Sequence, residues 1–167
     1  MILCFSILSG SSYDFPATCK IPVVVAVLDA ELHCTATLPA AAEMSASLHI
    51  AGTNSSILDS VFVCRLGAAH PDNPNLEAVL TKDADAMQAA GVRITLGDLK
   101  CLAAGHMARL AIESLSPTWD AEAPLGQRME RVRKHLANLA EQLAFDELAL
   151  RILKVATHGS PKGTTAL

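Results

Sequence analysis

The sequence predicts an α/β protein with its β-structure confined to the first 66 residues and a helical region after it. Three observations carry this. Residues 1–66 mix β-branched runs with Ser, Thr and Gly. Residues 67–84 (GAAHPDNPNLEAVLTKDA) hold two prolines, a glycine and two asparagines, and read as a linker or long loop. Residues 85–157 are rich in Ala, Leu and charged side chains and read as helical, leaving 158–167 as a disordered tail.

Taken in order, Ile2–Leu8 is an apolar run with no Lys or Arg before it, the first basic residue being Lys20. That is unlike a signal peptide, and the run reads as a buried strand. Val23–Leu32 follows Pro22 and fits a helix by proline placement, but its valines fit a strand equally well. His33–Leu38 alternates loosely and should end at Pro39 as a strand. Ile57–Arg65 (ILDSVFVCR) is a strand with Ile57, Val61 and Val63 on one face and Leu58, Phe62 and Cys64 on the other. Both faces carry apolar residues, so it is expected to be covered on both sides.

In the helical region, Asp98 can cap a helix over Leu99–Leu115, stopped by Ser116-Pro117. A second helix begins near Pro124 and is expected to continue to Ala156. Leu125, Met129, Val132, Leu136, Leu139 and Leu143 are spaced 4-3-4-3-4, a seam at heptad spacing. The seam can pack on the Leu99–Leu115 helix or support self-association, and about three heptads favour the former over a free coiled coil.

Composition narrows the function. Net charge is −4, so there is no global electrostatic footprint for nucleic acid. The five cysteines, at 4, 19, 34, 64 and 101, form no CxxC, and their odd number argues against a closed disulfide framework. They read as buried reduced thiols of a cytoplasmic protein. Val23–Leu28 is far shorter than the roughly 20 apolar residues that cross a bilayer, so no membrane partner is expected.

From Leu28 to Arg65 the chain resembles a known family. LDAELHCTATLPAAAEM followed by AGTNSSILDSVFVCR is similar to the end of the catalytic domain of adenine-specific DNA methylases, the zinc-ribbon-containing group of SAM-dependent DNA methyltransferases. The matching residues are Thr35, Ala36, Thr37, Pro39, Glu43, Met44, Gly52, Thr53, Asn54, Ser55 and the strand ending Val63-Cys64-Arg65. Leu38 stands where the family has tryptophan. The resemblance implies a partial class I methyltransferase (Rossmann-like) sheet. Ile2–Leu8, His33–Leu38 and Ile57–Arg65 would be its last strands, the final two forming an antiparallel hairpin, followed by the helical tail. S-adenosylmethionine is the complete family's cofactor, and DNA or the missing methyltransferase half would be the partner.

The family's chemistry is not matched. No G-x-G or F-x-G-G string offers a close backbone approach to S-adenosylmethionine. Asp72-Asn73-Pro74-Asn75 lacks the second proline and the aromatic of an N/D-P-P-Y/F loop, follows the hairpin instead of preceding it, and reads as a turn. No residue is therefore assigned to catalysis, to cofactor or to metal. Glu43, Gly52, Thr53, Asn54 and Ser55 form a substrate-proximal loop by resemblance and a hairpin turn by composition. The basic cluster Arg128, Arg131, Arg133 and Lys134 could contact DNA phosphates, or form the solvated side of an amphipathic helix. The six histidines show no i, i+3 or i+4 pairing and no serine sits in a G-x-S-x-G elbow, so neither a metal site nor a hydrolase is indicated. The expected function is that of a truncated, split or degenerate methylase-like protein, inactive alone, with a non-catalytic helical interaction module as the alternative.

Overall fold

A computed structural model describes residues 20–41, 58–67 and 75–158. The elements are α1 (Ile21–Asp29), β1 (Leu32–Ala41), β2 (Leu58–Leu66), α2 (Leu76–Ala89), α3 (Leu96–Leu115), α4 (Leu125–Gln142) and α5 (Phe145–His158), with a 3-10 turn over Ser116–Thr118 between α3 and α4. The fold is mixed α/β and mostly helical: five helices and one antiparallel pair of strands among the described residues. The strand expected at Ile2–Leu8 lies outside them, as does the expected tail beyond His158.

The ambiguous valine run is a helix. Pro22 stands in its first turn, and Ile21, Val24, Val25, Val27 and Leu28 are all buried. Burial of these side chains outweighs the modest helix penalty of β-branched residues. The helix ends sooner than the expected Leu32. Glu31 turns left-handed at φ 54°, its N–H donating to the Leu28 carbonyl at 3.0 Å, and Leu32 opens β1.

β1 pairs with β2 as the expected hairpin, but it runs on through Pro39, which faces Ser60. Proline is tolerated because both strands of a two-stranded ribbon are edges. The register slips between Cys34 and Ala36, making Thr35 a bulge. The Thr35 hydroxyl donates to the Val63 carbonyl at 3.0 Å, repairing the interrupted ladder. The slip puts Cys34 and Thr37, an odd spacing apart, on one buried face with Leu58, Ser60, Phe62 and Cys64. Val61 and Val63 on the other face are only half-buried and Leu38 is 50% exposed, so coverage on both sides is corrected to full coverage of one face.

α3 lies on that covered face and touches both strands and every other helix. Its buried residues surround it: Leu99, Cys101, Leu102, Ala103, Ala104, Gly105, Met107, Ala108, Ala111 and Ile112. A helix apolar on all sides is a core helix. Its cap corrects the expectation for Asp98. Thr95 is the N-cap, its hydroxyl oxygen accepting from the Asp98 N–H at 3.2 Å, and Asp98 Oδ2 accepts from the Thr95 N–H at 2.9 Å, a complete capping box. Ser116-Pro117 ends α3 as expected.

Two further expectations change. The linker over 67–84 is partly helical, because Asn75 caps α2, its Oδ1 accepting from the N–H groups of Glu77 (3.0 Å) and Ala78 (3.3 Å). Leu76, Leu80 and Ala84 then form its buried stripe. The single helix expected from Pro124 to Ala156 is two helices. α4 begins after Pro124, but Ala144 adopts φ 45° and separates it from α5.

Candidate functional site

The basic cluster on α4 is the sequence's one candidate surface that the described residues include. Arg128 forms an ion pair with Asp29 at the end of α1, and that carboxylate also accepts from Trp119 Nε1 at 3.0 Å. Arg131 donates to the Thr118 carbonyl at 2.8 Å and hydroxyl at 2.6 Å, with its guanidinium 5.7 Å from the Trp119 ring centroid. These two arginines hold α4 to α1 and to the turn after α3. Arg133 (2.7 Å) and Lys134 (3.9 Å) both reach Glu130, leaving one carboxylate to offset two exposed cations. Two of the four expected phosphate contacts therefore have intrachain roles, and the outer two form the solvated side of an amphipathic helix.

The seam beneath the cluster faces inward. Val132 and Leu136 are 0% and 1% exposed, and Met129, Leu139 and Leu143 pack against the core, while Leu125 is 56% exposed. α4 lies on α1 and α3. The seam named for self-association is thus occupied within the chain, and the packing expected against the Leu99–Leu115 helix is what forms.

The loop residues Glu43, Gly52, Thr53, Asn54 and Ser55 lie outside the described residues. The flanking matched strands are placed. Thr35, Ala36, Thr37 and Pro39 lie on β1, and Val63-Cys64-Arg65 lies on β2. Ala36 faces Val63, Cys34 faces Cys64 and His33 faces Arg65.

Two histidine pairs escape sequence reasoning because their partners are far apart in the chain. His106, 4% exposed on α3, meets Asp83 of α2 through Nε2 at 2.8 Å, and its Nδ1 is buried with no partner among the described residues. The pair joins α2 to α3 inside the fold. The one signal for it would have been Asp83 on the Leu80–Ala84 side of a helix that the prolines concealed.

The second pair is His135 Nε2 and Ser114 Oγ, 2.6 Å apart between α4 and α3. Ser114 Oγ also donates to the Ala111 carbonyl at 3.2 Å, so the imidazole N–H is the donor to the serine. A serine held this way is not being deprotonated, and among the described residues nothing orients His135 as a triad would. Burial first, and the Arg131 charge second, lower the His135 pKa from 6.5. Its unfolded-state pKa is then the higher one, so the unfolded chain binds the proton first as pH falls below 6.5. Stability should drop through that window and level off below the folded pKa. His135→Gln should flatten this increment. Urea midpoints for both proteins above and below 6.5 measure it, and equal pH slopes would contradict it.

One open depression lies along the α4–α5 junction at Ala137, Ala140, Ala144 and Phe145 with Glu141, Asp146 and Glu147 on its rim, and another lies beside the basic cluster at Gly126, Gln127, Glu130, Arg131 and Lys134. Neither gathers a nucleophile and a base. Among the described residues no group of three His, Cys, Asp or Glu could hold a metal ion, and no helix is long and apolar enough to cross a membrane. Comparison with protein families, with curated proteins and with solved structures finds no match to this chain.

Proposed function

We propose that the chain is the C-terminal part of an adenine-specific, SAM-dependent DNA-methylase-like protein, a scaffold piece that does not transfer methyl groups alone. The observation that supports it is the pairing of the two matched segments. The strand holding Thr35-Ala36-Thr37 and the strand ending Val63-Cys64-Arg65 lie antiparallel and adjacent, with Ala36 opposite Val63. In the resemblance these are the final two strands of the class I methyltransferase sheet, which form an antiparallel hairpin.

No G-x-G or F-x-G-G string that would bring the backbone close to S-adenosylmethionine occurs in the sequence. No methyl-transfer step is therefore assigned to these residues. On this reading the natural partner is the half of a methyltransferase that carries the glycine-rich turn and the N/D-P-P-Y/F loop, and DNA contact belongs to the assembled protein.

Two measurements test the proposal. Calorimetric titration of the isolated chain with S-adenosylmethionine should release no binding heat, and micromolar binding would overturn the scaffold role. The DNA immediately upstream of the gene, or a neighbouring gene, should encode the two missing motifs. Their absence from both places would remove the methylase assignment itself.

A further inference from the structure

From the hairpin register we infer that Cys34 and Cys64 are an oxidation site, forming a cross-strand disulfide when a peroxide reaches the folded chain. The two residues are direct partners across the antiparallel ladder and lie on the same covered face, 2% and 0% exposed. Facing residues in such a ladder have Cα atoms about 4.5 Å or 5.5 Å apart according to position, both within the range of about 4.4–6.8 Å that a disulfide spans. The pairing depends on the Thr35 bulge. Without that slip, Cys64 would face Thr35, and Cys34 would lie on the other side of β1.

The surroundings favour this pair over any partnership with Cys101. The Cys101 thiol donates to the Leu58 carbonyl at 3.1 Å, at the far end of β2. Leu58 to Cys64 is six residues of strand, roughly 20 Å. Gly105, one turn on from Cys101, sits over Ser60 and Thr37, so α3 runs along the hairpin and keeps Cys101 away from the other two thiols. Within the pair the roles differ. The neighbouring Cys64 thiol raises the Cys34 pKa most, followed by burial. The neighbouring Cys34 thiol lowers that of Cys64, against the effect of its own burial, while the Cys34 thiol itself donates to the Ala36 carbonyl at 3.3 Å. Cys64 is accordingly the thiol that attacks first, as the thiolate.

The chemistry balances with hydrogen peroxide as oxidant. The Cys64 thiolate attacks one peroxide oxygen, the O–O bond breaks, and hydroxide leaves to take up a proton as water, giving a sulfenic acid. The Cys34 sulfur then attacks that sulfenic sulfur, the S–O bond breaks, and the departing hydroxide takes the Cys34 proton as a second water. Two thiols are oxidised and one peroxide is reduced to two waters. The bond staples the hairpin on the side that carries α3, across a loop of 29 intervening residues counted from Thr35 to Val63.

The test is peroxide treatment of the folded full-length chain, quenching with an alkylating agent, and non-reducing peptide mapping by mass spectrometry. The expected product is a Cys34–Cys64 linked peptide pair, lighter by two hydrogens and restored by dithiothreitol. Closing a loop of this size should raise the melting midpoint of the oxidised chain by roughly 5–10 °C. Cys34→Ser and Cys64→Ser should each abolish the linked peptide and the shift, and Cys101→Ser should keep both. Sulfinic or sulfonic acids at Cys34 and Cys64 without a linked peptide would overturn the inference. So would a linkage that forms only in denaturant, or one that pairs either residue with Cys4, Cys19 or Cys101.

Discussion

Phe62→Ala is expected to lower the unfolding free energy by about 3–5 kcal/mol, the largest loss for any single truncation of the hairpin. Phe62 is 0% exposed, faces Thr37 across the ladder and lies beneath α3, so the vacated volume has little freedom to collapse. With total stability on the order of 5–15 kcal/mol for a natural domain, the variant should sit close to unfolding at ordinary temperature. The ring has a second role. The Lys20 ammonium is 5.8 Å from its centroid, Lys20 is 1% exposed, and Nζ has no hydrogen-bond partner among the described residues. A desolvated cation facing an aromatic ring gains about 2 kcal/mol, and without the ring its burial is a net cost. Phe62→Leu, which keeps much of the bulk, isolates this part. Lys20→Met should be less favourable in the native chain than in the Phe62→Leu background, by up to about 2 kcal/mol. Urea melts of the four proteins give the coupling energy, and strictly additive losses would remove the cation–π contribution.

What could be read from the sequence was what repeats locally. Ile57–Arg65 declares itself by Ile57 and the run Val61-Phe62-Val63, and His33–Leu38 by its alternation. Those two signals marked the strands, and their pairing as an antiparallel hairpin was implied by the resemblance. The Pro124 start and the Ser116-Pro117 stop need no tertiary contact to act, and they stand where expected. α2 was hidden because Pro71, Asn73 and Pro74 dominate its window, although Asn75 followed by Leu76, Leu80 and Ala84 is a capped helix with a buried stripe. The break at Ala144 was hidden for the opposite reason: the heptad seam runs smoothly up to Leu143, and nothing local marks an alanine that will turn left-handed.

The candidate sites divide the same way. Arg128 and Arg131 look alike in sequence to Arg133, yet their partners Asp29 and Thr118 come from other elements, and only the fold separates anchoring cations from solvated ones. Asp83–His106 and Cys34–Cys64 are products of tertiary contact. The first needs α2 to exist, and the second needs the register slip at Thr35. The methylase resemblance, in contrast, rests on two strands and the segment between them, and it assigns no side chain a reaction.

Gly105→Ala should destabilise the protein by about 1–3 kcal/mol even though alanine is the better helix former. Glycine in the middle of a helix ordinarily costs about 1 kcal/mol relative to alanine, so the substitution would help if space allowed. Space does not allow it. A Cβ at Gly105 would lie 2.4 Å from Ser60 Oγ, 2.8 Å from Ser60 Cβ and 3.1 Å from Thr37 Cγ2. Ser60 cannot simply rotate away, since its Cβ is itself too close and its hydroxyl donates to the Cys101 carbonyl at 3.3 Å. α3 and the hairpin must separate, and because α3 touches every other element, the displacement reaches the whole core. Gly126→Ala on α4 is the matched control. Its Cβ would meet nothing within 4 Å, and it should stabilise by a few tenths to about 1 kcal/mol. Removing the obstruction instead, with Ser60→Gly in the Gly105→Ala background, should recover part of the loss. Thermal melts of the single and double variants decide the matter: a Gly105→Ala protein as stable as Gly126→Ala would mean that α3 and the hairpin are not in contact at this glycine.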